Sequence, residues 1–205
     1  MLTLWGRTTS VNVQKVLLCL AELDLPFTRI DAGLSFGVVS TPAYRAMNPN
    51  SLVPTLDDDG FILWESNSIV RYLAATYGRD KLWIEDIKQR CSADRWMDWQ
   101  LSKFGPALGP AFIGLIRRPG STPPDKIEAS RLASNKLMGF LDDHLAHNRN
   151  ISGEAFATAD CVLAPLVHRW YNLPIDRDKT PHLDRWYAAL MQRPPASSVL
   201  PTPIS

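Results

Sequence analysis

Cysteine, histidine and long apolar runs are all scarce in this chain, and each scarcity excludes something. Its 205 residues hold three cysteines, Cys19, Cys91 and Cys161, an odd number set far apart with no CxxC pair. That usage fits reduced thiols in a cytoplasmic protein, not a disulfide frame or a zinc site. The histidines, His144, His147, His168 and His182, have no spacing that suggests a metal, so none is expected. No run approaches the roughly 20 apolar residues of a membrane span. Met1-Leu2-Thr3-Leu4-Trp5 lacks the basic segment and apolar core of a signal peptide. A net charge of +1 shows no basic excess, which argues against nucleic acid or an acidic membrane as a partner.

The most informative stretch is NPNSLVPTLDDDGFILWESNSIVR, Asn48 to Arg71. Leu52 to Leu56 is apolar and β-prone, with Pro54 confined to a strand's start or edge because it donates nothing to the ladder. Asp57-Asp58-Asp59-Gly60 predicts a hairpin turn, Phe61 to Trp64 the return strand, and Ile69, Val70, Leu73 and Tyr77 a helix after it. Glu65 and Ser66 stand where that helix begins. The free N–H groups of a first turn attract anions. Ser66 can thus meet a ligand carboxylate while Glu65 accepts from an ammonium group, a match for the α-amino-acid end of a ligand. The plainer alternative is that Ser66 caps the helix and Glu65 complements its dipole.

Val53-Pro54, followed after a hairpin by Glu65-Ser66 and the helix Ile69-Val70-Arg71-Tyr72-Leu73, closely resembles the N-terminal domain of the cytosolic glutathione S-transferases. The resemblance implies a cis Pro54, a Val53 backbone that meets the cysteinyl unit of glutathione, and a Glu65-Ser66 pair that grips its γ-glutamyl end. It also implies glutathione as cosubstrate and a homodimer.

Taken in order, Leu2 to Trp5 predicts a first strand, and Val13, Val16, Leu17, Leu20 and Leu23 a helix that Pro26 stops. Phe27 to Asp31 predicts a second strand, in a right-handed βαβ unit. A short helix is expected over 42–47. The order βαβαββα is thioredoxin-like and ends near Gly78. Residues 1–79 are therefore expected to form a thioredoxin-like glutathione-binding domain, 80–88 a linker, and 89–205 an all-α domain. The fold class is α+β, in two domains.

The chemistry is expected where the first strand ends. Thr8, Thr9 and Ser10 can all cap the following helix. By count back from Pro26, Ser10 falls on the position of the catalytic serine in the theta-like, serine-type transferases that the chain resembles. Thr9 and Asn12 remain alternatives for contact with the sulfur. No cysteine stands there, which disfavours mixed-disulfide chemistry. A hydroxyl is sufficient in principle. A thiol of pKa about 8.5 is a few per cent thiolate at neutral pH. Lowering that pKa by about two units takes roughly 2.7 kcal/mol. A hydrogen bond to a charged group contributes about 1.5–3 kcal/mol, and a helix start about 0.3–1.

Two departures from the family pattern stand out. The loop before Val53 reads Ser51-Leu52, and Leu52 cannot bond the glycyl carboxylate, which leaves Ser51, Asn50, Gln14 or Arg45 for that contact. Ala157 stands where the buried capping box normally has a Ser or Thr three before Asp160, so either Thr158 caps one residue late or Asp160 acts alone.

The second half is helical throughout in pattern. Trp96, Met97, Leu101, Phe104 and Leu108 form one stripe, which Gly105-Pro106 and Gly109-Pro110 should kink or break. Ser121 or Thr122 should open the next helix, with Leu137, Phe140, Leu141 and Leu145 on its buried face. The tail from Arg193 is too proline-rich to predict a helix. Phe104, Leu108, Phe112 and Trp170 are the expected lining of a hydrophobic electrophile's pocket, with ordinary core as the alternative. The function expected is conjugation of glutathione to a small hydrophobic electrophile. Glutathione-dependent isomerisation or dehalogenation is the second reading, and a non-catalytic binding or regulatory protein of the same fold the third.

Overall fold

The computed structural model describes residues 1–204, in two compact units, Met1–Trp83 and Ile84 onward. The division falls inside the 80–88 segment. The first unit runs β1 (Leu2–Trp5), α1 (Val11–Glu22), β2 (Phe27–Ile30), α2 (Pro42–Met47), β3 (Thr55–Asp58), β4 (Phe61–Trp64) and α3 (Ser66–Tyr77). The four strands lie in the order β2-β1-β3-β4, with β1 parallel to β2 and the other pairings antiparallel. This is the expected βαβαββα order.

β3 begins at Thr55, three residues later than the apolar run from Leu52 suggested. The Val53-Pro54 bond is cis, as the resemblance implied, and the chain joins the ladder only beyond it. The turn is correspondingly shorter. Asp59 and Gly60 both have positive φ, 49° and 95°, a two-residue loop whose twist suits a hairpin. The Asp57 carboxylate accepts from the Gly60 N–H at 2.7 Å. Leu4 and Leu56 on the sheet, Val13, Val16 and Leu20 on α1, and Ile69, Val70 and Leu73 on α3 are fully or almost fully buried and form the core of this unit.

The second unit contains α4 (Ile87–Trp99), α5 (Gly105–Phe112), α6 (Pro124–Leu145), α7 (Thr158–Asn172), α8 (Pro181–Met191) and α9 (Pro194–Val199). Of the two outcomes expected at the prolines, a kink or a break, the break does not occur. The chain stays helical from Ile87 to Arg117 and widens to π-turns at Gln100–Phe104 and Ile113–Arg117. Gly105 N–H bonds back to Gln100 C=O across the first widened turn, which accommodates Pro106. Beside Pro110 a side chain enters the ladder. The Ser130 hydroxyl of α6 accepts from Ala111 N–H at 3.1 Å and donates to Ala107 C=O at 2.5 Å, so it bridges two backbone groups one turn apart on α5.

Three further expectations are corrected. α6 starts at Pro124 with Pro123 before it, so neither Ser121 nor Thr122 caps it; proline suits a first turn because its missing N–H would have no partner there. The same placement lets Pro194-Pro195 open α9 in the tail. The buried face of α6 is Ser130, Ser134, Asn135, Met138, Leu141 and Leu145, while Phe140 is about half exposed at 48%. Of its polar residues, Ser130 and Asn135 bond neighbouring segments, while the Ser134 hydroxyl donates back to Ser130 C=O in its own helix.

α7 is buried from Thr158 to Trp170. Asp160 anchors its start, accepting from Ile151 N–H at 2.9 Å, Ser152 N–H and Ala157 N–H at 3.1 Å, and the Trp186 indole at 2.8 Å. Burial pushes this carboxyl above the usual range while the four donors pull it back. Ala157 has only a methyl group, so half of the capping box is missing. Neither Thr158 nor Asp160 alone makes up for it: Ser152 Oγ, from the preceding loop, accepts from Ala159 N–H at 3.2 Å.

Replacing Ser130 with alanine removes the hydroxyl that bonds Ala111 N–H and Ala107 C=O on α5. A loss of about 1–3 kcal/mol in unfolding free energy is expected, measured as a shift in the urea midpoint at constant slope.

Candidate active site

Trp5, Thr55 and Trp64 are in register across β1, β3 and β4. The segments that follow Trp5, precede Thr55 and follow Trp64 therefore leave one edge of the sheet. They carry Thr9, Ser10 and Asn12; Ser51, Val53 and Pro54; and Glu65 and Ser66.

Ser10 is the N-cap residue of α1, with extended backbone (φ −87°, ψ 121°), but its hydroxyl makes no capping bond. Its backbone is held instead, by Ser10 N–H to Arg7 C=O at 3.2 Å and Gln14 N–H to Ser10 C=O at 2.9 Å. The Gln14 amide folds back to donate to Thr8 C=O at 2.9 Å and steadies the same loop. The Ser10 side chain is left buried, at 7% exposure, with no hydrogen-bond partner among the described residues. Asn12, in the first turn, is half-buried, and Thr9 beside Ser10 has partners within the chain.

The approach to Pro54 is pinned from beneath. Tyr44 Oη donates to Leu52 C=O at 2.6 Å and lies 2.8 Å from Thr55 Oγ1. Asn48 Nδ2 donates to the same two oxygens at 2.9 and 3.1 Å. Both side chains are buried, and nothing in the sequence marked them as supports of the site. Val53 N–H and C=O make no hydrogen bond to another described residue. Leu52 points outward, 66% exposed. Of the groups weighed for the glycyl carboxylate, Gln14 and Asn50 already donate within the chain, to Thr8 and Asn48.

Glu65, not Ser66, occupies the N-cap position of α3, and Ser66 is the first helical residue. The plainer role for Ser66, capping, is thereby excluded. Glu65 is exposed and has φ 72°, a left-handed conformation that a residue with a Cβ adopts at a cost of about 1–3 kcal/mol. Ser66 is buried at 6% exposure.

The residue that sequence reasoning missed is Lys15. It lies on α1 with no exposed surface, and its ammonium donates to Asn67 Oδ1 at 3.2 Å and, at the limit of a hydrogen bond, to Ser66 Oγ at 3.5 Å. Burial pulls it down to about 7, against the attraction of Glu65. In sequence it resembles any lysine on a helix; only the packing of α1 on α3 buries it.

The expected pocket residues lie inside the helical unit without an open face. Phe104 and Trp170 have no exposed surface, and Leu108 and Phe112 keep 2% and 4%. Trp170 is a core residue: its indole N–H donates to Asn135 at 3.2 Å, and Arg177 lies over its ring at 5.7 Å. A cavity of about 430 Å³ in this unit is lined by other residues, among them Arg149, Phe156, Arg185 and Arg193. No cluster of His, Cys, Asp and Glu fit to hold a metal occurs among the described residues. No helix among them is long and apolar enough to cross a membrane.

Comparison with known proteins agrees with this arrangement. Residues 4–81 match the glutathione S-transferase N-terminal domain, and residues 125–189 the C-terminal domain. The chain is 43% identical to the glutathione S-transferase GstB of Escherichia coli K12, over the full length of both. It is 30% identical to glutathione S-transferase 3 of Zea mays, covering 94% of this chain and 90% of that one. Among solved structures, the theta class glutathione S-transferase of Xanthomonas axonopodis pv. citri with glutathione bound superposes with a TM-score of 0.95 at 41% identity, covering 100% of this chain and 99% of that one. With both domain families matched in order and full-length identity at this level, the chain belongs to the glutathione S-transferase family.

Proposed function

We propose that this protein is a glutathione transferase that joins the thiolate of bound glutathione to a small hydrophobic electrophile. The observation that carries this reading is the Ser10 hydroxyl, fixed at the mouth of α1 and left without an intramolecular partner. A hydroxyl there donates to a sulfur anion more strongly than to a thiol, because charge on the acceptor strengthens the bond. The start of α1 adds its partial positive charge. The thiol gives up its proton to solvent, the thiolate attacks carbon to form a thioether, and the leaving group departs. No general base is needed.

The other segments at the same sheet edge supply recognition in this reading. Val53 offers a free N–H and C=O to the cysteinyl unit, and Glu65 and Ser66 take the amino and carboxylate groups of the γ-glutamyl end. Ser51, which is half-buried, stands beside them. Glutathione is bound in the Xanthomonas relative, which supports the assignment of the same ligand here. A homodimer and a cytoplasmic location belong to the same reading.

Retention on immobilised glutathione and release by free glutathione is the expected first result; passage straight through the resin overturns the reading. Turnover with an aryl halide that consumes glutathione is expected next, whereas isomerisation without consumption assigns the second activity. Ser10→Ala is expected to lower turnover at neutral pH about 10–100-fold and to raise the apparent pKa of the bound thiol. Unchanged kinetics would remove Ser10 from the mechanism and leave Thr9 or Asn12.

A further inference from the structure

The cavity of about 430 Å³ in the helical unit is where the chain's balance of charge fails. Over its whole length the chain carries 22 Lys and Arg against 21 Asp and Glu, so its charges nearly cancel. Around this cavity they do not. Arg149, Arg185 and Arg193 line it, and among the described residues no aspartate or glutamate does. Phe156, Trp186 and Leu190 supply an apolar wall beside the three guanidinium groups. The volume falls within the range of small-molecule sites. A concave surface lined by one sign of charge concentrates its field on whatever enters.

The walls are held in place by the protein's own bonds. Arg185 Nη2 donates to Leu145 C=O at 2.7 Å and to Asn148 C=O at 2.9 Å, which seats its guanidinium against the backbone just ahead of Arg149. The loop from Arg149 to Phe156 closes on itself through Asn150 N–H to Gly153 C=O at 2.7 Å and the Asn150 amide to Glu154 C=O at 2.7 Å. Asp160 fastens that loop at Ile151 and Ser152 and fastens Trp186 by its indole. Arg193 covers the Phe156 ring, with its guanidinium carbon 4.0 Å from the ring centre. Arg149 differs from both other arginines. It is exposed and makes no hydrogen bond or ion pair with a described residue. Nη1 and Nε of Arg185 are likewise unused among the described residues.

We propose that this cavity is a binding site for a phosphate monoester of an aromatic alcohol, its phosphate held by Arg149 and Arg185 and its ring against Phe156, Trp186 and Leu190. A guanidinium fork matches two oxygens of a phosphate. Two arginines with donors to spare match the charge of a dianion, which such an ester carries near neutral pH. A carboxylate leaves one of them uncompensated. A bare phosphate fills a small part of the volume and leaves the apolar wall wet. The site lies wholly in the helical unit, whereas Ser10, Val53, Glu65 and Ser66 all belong to the first. It therefore stands independently of the glutathione reading.

The test is calorimetric titration of the whole protein with phenyl phosphate at about pH 7.5, where the ester is a dianion. Saturable binding is expected, with inorganic phosphate, benzoate and phenol each weaker by about tenfold or more. Inorganic phosphate or benzoate that binds as tightly overturns the match to ring and double charge. Arg149→Gln is expected to weaken phenyl phosphate by about tenfold or more. Arg149→Lys, which keeps the charge and loses the fork, is expected to weaken it by a smaller factor. Since Arg149 bonds nothing else in the fold, Arg149→Gln is expected to melt within about 2 °C of wild type. Unchanged affinity in Arg149→Gln overturns the proposal, as does wild-type protein that fails to bind phenyl phosphate. The titration is repeated in the presence of S-hexylglutathione, whose tripeptide and alkyl chain occupy the proposed active site. The same affinity is expected; competition overturns the proposal and assigns the probe to the glutathione site.

Discussion

The cross-brace between α1 and α3 is the constraint on which the site depends. Each helix begins at the same edge of the sheet, and each begins without a side-chain cap of its own: the Ser10 hydroxyl is unused and Glu65 is turned outward. Helix starts that lack a capping side chain can offer first-turn N–H groups to other acceptors. A soluble fold tolerates that where a ligand or solvent completes them. Between them Lys15 ties one helix to the other from inside, so the spacing of the two starts is set by packing and not by loop conformation.

The third support is the segment before Pro54, held from below by Tyr44 and Asn48. Both bond the Leu52 carbonyl and Thr55 Oγ1, on either side of Val53 and Pro54, while the Val53 N–H and C=O make no hydrogen bond to another described residue. A buried polar pair in the scaffold thus holds this segment without using the Val53 backbone groups. Loops gain precision from such underpinning, since ordering them for each binding event would cost conformational entropy.

Much of the first unit was legible because periodicity and turn chemistry agree there. The βαβ unit and the short helix at Pro42 follow from local pattern, whereas that pattern left Thr8, Thr9 and Ser10 open ahead of α1 and the family resemblance singled out Ser10. The start of β3 was misread because Leu52 to Leu56 is β-prone, although the chain pairs only after Pro54. Glu65 at the cap escaped notice because a left-handed glutamate has no local signature. In the helical unit the prolines were expected to kink or break the stripe, and the Ser130 hydroxyl that bonds the backbone beside Pro110 lies too far along the chain from Ala111 to be read locally. Trp170 had the composition of a pocket wall and the surroundings of a core residue, and composition alone cannot separate the two.

Ser152 shows how a lost side chain can turn into a constraint on length. With alanine at position 157, the oxygen that caps α7 comes from outside the helix, while Ser152 N–H is itself held by Asp160. Loop and helix start thus close a small ring in which each side both gives and accepts a hydrogen. The number of residues between Ser152 and Ala157 is thereby fixed as firmly as any residue identity. An inserted residue there would undo the ring even if every side chain in it were preserved.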